Sequence, residues 1–197
     1  MKLRCHHKTA LVIAFVGVSV TAWCQNPDSR ANPETIASTL QSTWSMLESD
    51  LISAADAMPA EKYSFAPTSG EFKGVRTFAK QIKHVACGNF TFFNEIQGQA
   101  PPPDCEHGGP HPAKTKPELV KYLRDSFALA DQVIATINMK NALAPVSGPY
   151  GGPSTKLGIA VLAVWHASDH YGQMIEYLRM NGIVPPASRP RTPQPTR

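Results

Sequence analysis

The chain has 197 residues, four cysteines and a formal net charge of +4, a length that suits one domain whose core needs no cross-links to stand. Three basic residues, Lys2, Arg4 and Lys8, precede any acid; without them the 19 basic residues fall to 16 against 15 acidic ones, so a nucleic-acid footprint finds no support. Aliphatic residues are plentiful and alternating segments absent, which argues against a sheet protein.

Residues 1–24 read as a signal peptide: the basic start is followed by an apolar run from Ala10 to Val20 and by the small residues Thr21 and Ala22. That run is too short to span a bilayer as a stable helix. After its removal the chain is expected to be exported, periplasmic or extracellular, and not embedded in a membrane. Trp23 before Cys24 makes a poor lipidation site. Residues 25–31 are polar and read as a tether.

The segment 32–188 carries four helical patterns. Asn32-Pro33-Glu34 offers a capping Asn, a proline suited to the first turn and an acid. Ile36, Leu40, Trp44, Leu47, Leu51 and Met58 then form an apolar stripe of roughly 25 residues, stopped by Pro59. From Pro59 to Gly74 the aromatics Tyr63, Phe65 and Phe72 mark a connection expected to pack on the bundle. A second helix is expected from Val75 to Ile96, with Gly98 ending it. The stretch from Gln99 to Lys114 holds five prolines, Cys105, His107 and His111, and no regular structure is expected there. Thr115-Lys116-Pro117-Glu118 reads as a capping box opening a third helix, with Leu119, Leu123, Ala130, Val133 or Ile134, and Ile137 facing inward. Asn141 to Ser154, rich in glycine and proline, reads as a loop.

The fourth helix runs from Thr155 to Asn181, with Gly182 as its cap and Pro185-Pro186 beyond. Ile159, Leu162, Ala163, His166, His170, Gln173 and Tyr177 share one arc; Ala160, Val164, Ala167, Tyr171, Ile175 and Leu178 share another. A helix apolar on two faces is buried between neighbours. Four such helices without a strand signal predict an all-α protein, a four-helix bundle. Residues 189–197 are rich in proline and charge and read as a disordered tail.

His166 and His170 stand one turn apart on one face, a spacing a metal ion uses, although two core histidines satisfied by hydrogen bonds would look the same. Candidate further ligands are His84 on the second helix and His107 and His111 in the irregular stretch. Periodicity sets His84 about 200 degrees from Ile82 on the helical wheel, among surface residues, while Gly88 one turn later leaves room for another helix to approach. Cys87 and Cys105 either pair, as an oxidising compartment permits, or remain separate thiols. No phosphate loop, nucleophile elbow or CxxC pair is present.

The run K-Q-I-K-H-V-A-x-x-N-F around His84 and the run W-H-A-S-D-H-Y-G-Q-M-I-E-Y-L-R-M-N-G-I-V-P-P-A-S resemble the DinB (damage-inducible) superfamily, with correspondence from about Ile36 to Ser188. The resemblance implies a four-helix bundle holding a divalent metal, zinc or nickel, through His84, His166 and His170. Three imidazoles leave coordination positions open for an unknown small-molecule ligand, as in catalytic sites, so a metal-dependent transferase or hydrolase is one expectation. The superfamily includes thiol-dependent enzymes, whose low-molecular-weight thiols are mainly cytosolic and do not match export. The alternative is a non-catalytic, metal-stabilised bundle or a dimerisation module, and a homodimer is left open. Asp169, Tyr63, Gln173 and Tyr177 are conceivable neighbours of the site.

Overall fold

The structure, a computed structural model, describes residues 34–103, 105, 113–149 and 151–190. The expected signal peptide and tether, His107, His111 and the tail beyond Pro190 lie outside the described residues. Four helices carry the fold: α1 (Ile36–Ala57), α2 (Phe78–Gln97), α3 (Lys116–Ile134) and α4 (Lys156–Met180). Helices α1 and α2 each pack against both α3 and α4, which sets α1 and α2 on one diagonal of a four-helix bundle.

Trp44 fills the centre of that diagonal. Its ring, wholly buried, lies 5.1 Å from Phe93 of α2 across the diagonal and 4.9 Å from Phe127 of the neighbouring α3, so the α1 stripe meets both helices at one aromatic cluster. The inward residues of α3 (Leu119, Leu123, Ala130, Val133 and Ile134) are all buried, as is Ile137 just beyond it. On α4 the buried residues Ile159, Ala163, His166 and His170 belong to one arc and Ala160, Ala167, Ile175 and Leu178 to the other. The two-faced pattern therefore corresponds to a helix with neighbours on two sides.

The helix ends show how local chemistry sets the boundaries. Helix α1 starts at Ile36, later than the Asn32-Pro33 signal predicts. Thr35 is the cap: its hydroxyl accepts from the Ser38 amide at 3.0 Å, and the Ser38 hydroxyl accepts from the Thr35 amide at 2.8 Å. That reciprocal pair satisfies two amides at once. At its other end, Lys116 Nζ donates to the carbonyls of Asp56 and Met58 at 2.7 and 2.8 Å, a cation where the helix dipole favours one. Helix α3 opens on the expected capping box. The Glu118 carboxylate accepts from the amides of Lys114 and Thr115, both at 2.9 Å, and these bonds hold its pKa down to about 2. Gly98 and Gly182 close α2 and α4 with φ near +72°, the left-handed turn that glycine adopts without strain.

The connection before α2 packs through two of its three aromatics. Tyr63 is buried edge-on to Phe78 and donates its hydroxyl hydrogen to the Ala55 carbonyl at 2.7 Å; Phe65 stands edge-on to Tyr177. The carbonyls of Phe65 and Tyr63 accept from the amides of Phe78 and Ala79, so the connection satisfies the first turn of α2. Phe72 is exposed, its ring beside Gly70. Helix α2 accordingly begins at Phe78 with Thr77 as its cap, three residues after the expected start. The stretch from 141 to 155 contains a short antiparallel hairpin, β1 (Pro145–Ser147) and β2 (Pro153–Thr155), which sequence periodicity cannot show in strands of three residues.

Cys87 of α2 and Cys105 are joined in a disulfide with their Cα atoms 5.1 Å apart, and the Tyr122 hydroxyl lies 3.1 Å from Cys105 Sγ and 3.2 Å from Cys87 Sγ. The bridge closes a separation of 18 residues, a loop for which chain entropy gives about 3 kcal/mol of stabilisation. In protein isolated from an oxidising compartment, Cys87 and Cys105 should be silent to a thiol reagent until reduced, and Cys105→Ser should release one reactive thiol. Two reactive thiols in the unreduced wild type would remove the bridge.

Candidate metal centre

Helix α4 brings His166 and His170 to its buried side because they are four residues apart within one arc. Both are nearly inaccessible, at 6% and 5% exposure. His84 of α2 completes the group from the facing helix, half-buried. One ring nitrogen of each histidine lies within 4.8 Å of those of the other two. The Nε2 atoms of His84 and His166 are 3.1 Å apart, and the three ring centroids are separated by 4.6 to 5.0 Å.

The wheel position of His84 is thereby corrected. A bundle helix with one neighbour buries an arc around its apolar centre, but α2 has α3 on one side and α4 on the other, so its covered arc is wider. Gln81, His84, Gly88 and Phe92 form the flank that faces α4. Gly88 makes this flank thin: a Cβ added there would lie 2.5 Å from His166 Cε1 and 3.0 Å from its Nδ1. Phe92, one turn on, stands edge-on to the His166 ring at 5.3 Å.

The electrostatics favour neutral rings. Burial lowers each of the three pKa values from 6.5 to about 4. The remaining causes are smaller. The Arg76 guanidinium acts downward on all three, a neighbouring histidine adds to the same direction in each, and Asp169 opposes the shift in His166 and His170. Neutral imidazoles keep a lone pair for a ligand, and three of them converging from two helices suit a divalent metal ion. The donor set fits such an ion, and with three protein ligands it leaves positions for others. His166 Nδ1 is buried with no hydrogen-bond partner among the described residues.

Polar side chains surround His170. Its Nδ1 is 2.8 Å from Gln81 Oε1; Gln81 Nε2 donates to Gln173 Oε1 at 2.7 Å; Gln173 Nε2 donates to Asp169 Oδ2 at 2.8 Å. Sequence reasoning named Gln173 and Asp169 as conceivable neighbours but missed Gln81 as the partner of His170. The one sequence feature that marks it is an uncharged polar residue one turn before His84; that it is 1% exposed is seen only in the fold. Tyr177 donates to the Arg76 carbonyl at 3.0 Å and belongs to the packing beside the site. Tyr63 belongs to the core, where burial raises its pKa.

A family model described as the DinB superfamily matches residues 43–174, a span that holds all three histidines. Among solved structures, the crystal structure of a DinB-like protein from Bacillus cereus ATCC 10987 superposes with a TM-score of 0.61 at 17% sequence identity, covering 77% of this chain and 96% of that one; at that identity the likeness is one of fold. No curated protein matches the chain.

Two outcomes follow from this geometry. On helix propensity alone Gly88→Ala should stabilise α2 by roughly 0.5–1 kcal/mol, but the clash with His166 costs about 1–3 kcal/mol. A net loss of thermal stability is therefore expected, together with displacement of His166; a more stable variant with unchanged metal affinity would contradict the close approach. The metal-free protein should also lose stability as pH falls from 6.5 towards 4. In that window the unfolded chain takes up protons that the folded site refuses. The destabilisation is absent above 6.5 and complete near 4. Thermal melts across the window should show a shallower pH slope in His84→Ala than in wild type.

Proposed function

The chain belongs to the DinB superfamily, and on that membership and its three converging imidazoles we propose that it is an exported protein binding one divalent metal through His84, His166 and His170. The observation that carries this reading is the approach of three neutral ring nitrogens to within 4.8 Å of one another. Zinc or nickel matches the all-nitrogen donor set. Export is supported by the basic-then-apolar start of the sequence and by the Cys87–Cys105 bridge, a bond that persists in oxidising compartments.

For chemistry, the reading is a metal-dependent transferase or hydrolase acting on a small molecule. A bound ion would supply Lewis acidity at positions the protein leaves open. The chain's own residues contribute the rest. His166 and His170 are held in the bundle interior, nearly out of reach of solvent. His84, half-buried, leaves the approach for a ligand. Arg76, exposed just before the cap of α2, acts electrostatically on all three rings, and the same charge would favour an anionic ligand. The second reading is non-catalytic: with two of three ligands almost inaccessible, a metal could serve only to tie α2 to α4.

Metal analysis of protein expressed from residue 25, for wild type and for His84→Ala, His166→Ala and His170→Ala, tests the site. One ion per chain is expected in wild type, with affinity falling at least tenfold in each variant. Stoichiometric metal at unchanged affinity in His84→Ala would overturn the three-histidine centre. Thiol-transfer and hydrolysis assays comparing loaded and metal-free protein separate the readings, since activity in neither form leaves the metal a structural role.

A further inference from the structure

The hydrogen bonds behind His170 have a direction, and a carboxylate sets it. An ionised carboxylate accepts and cannot donate. Asp169 Oδ2 therefore faces the amide nitrogen of Gln173 at 2.8 Å, which turns the Gln173 oxygen to Gln81. That oxygen receives Gln81 Nε2 at 2.7 Å, which in turn points Gln81 Oε1 at His170. Facing an acceptor at 2.8 Å, His170 Nδ1 must carry the proton. The lone pair of a neutral His170 is then on Nε2.

We propose that Asp169, Gln173 and Gln81 are positioning residues that fix the His170 tautomer, so that its Nε2 is presented as a ligand before any metal arrives. The idea rests on the three-histidine reading of the site. Ligating histidines generally hold their second ring N–H on a carboxylate or carbonyl; here the carboxylate acts from the surface through two amides. Asp169 is exposed and next in sequence to His170, and its Oδ2 is engaged by Gln173. Gln173 is one turn beyond it on the same helix, and Gln81, at 1% exposure, carries the chain across to α2. The same bonds also fix the ring plane of His170, because Gln81 belongs to the helix that supplies His84. Among the described residues neither His84 nor His166 has such a chain, and the His166 Nδ1 has no partner there. His170 is accordingly the ligand whose preorganisation depends on residues outside the triad.

The test needs no activity. Asp169→Asn changes one exposed oxygen to nitrogen and leaves packing intact, but its amide can donate as well as accept, so the chain loses its fixed direction. Nitrogen-15 NMR of metal-free protein at neutral pH should show His170 wholly as the Nδ1–H tautomer in wild type and as a mixture in Asp169→Asn. Zinc affinity, measured by competition with a chromophoric chelator, should fall several-fold in Asp169→Asn and about tenfold in Gln81→Leu. In the double variant Gln81→Glu/Asp169→Asn the carboxylate sits directly on His170 Nδ1, Gln173 can turn over, and both the tautomer and the affinity should return towards wild type. An unchanged tautomer in Asp169→Asn, or an affinity loss in Gln81→Leu with the tautomer intact, would overturn the proposal and leave the glutamines a packing role. If wild type binds no zinc, the metal reading fails, while the tautomer spectra still decide whether the chain directs His170.

Discussion

Gly88 lies against the ring of His166, and the room left by its missing side chain lets α2 and α4 come close enough to bring His84 within reach of the α4 pair. The distances within the centre depend on that approach. Were α4 held further from α2 by a methyl group, His84 would return to the surface position that its wheel angle describes, and Gln81 would lose contact with both His170 and Gln173. A small residue at a helix crossing thus shapes this site by what it leaves out, while the bulky core residues hold the bundle together.

Burying three imidazoles has a consequence of its own. In water they would share protons near neutral pH; among Phe92, Gly88 and the apolar arc of α4 they are driven neutral by desolvation, and each added proton would face two neighbouring rings. The arrangement refuses protons and offers lone pairs, which is the condition a divalent ion requires. Asp169 counters this only in part, since it stands exposed at the edge of the site. It is also linked to His170 through the amides of Gln173 and Gln81.

The rest of the fold keeps that crossing in place. Carbonyls of Tyr63 and Phe65 receive the first amides of α2, Lys116 holds the last carbonyls of α1, and the disulfide at Cys87 ties α2 to Cys105. Each of these fixes α2 or a helix end beside it. The Trp44 cluster sets the bundle's diagonal from the other direction, through Phe93, on the same helix as His84 and Gly88.

The sequence by itself determined the four helices, the inward faces of α3 and α4, the glycine stops at Gly98 and Gly182 and the pairing of His166 with His170. These features depend on residues within a few positions of one another, where helical periodicity and capping chemistry operate. The first cap was misplaced because Thr35-Ser38 and Asn32-Pro33 are both valid signals, and the choice between them is made by bonds that a pattern does not rank. For His84 the residues alone pointed to the surface, and only resemblance assigned it to the triad. Tertiary structure decided its position, because whether the flank of α2 is exposed depends on which helix packs against it and how closely. Gln81 became visible as a partner only for the same reason: the ring it holds is 89 residues away, a separation over which no local periodicity carries information.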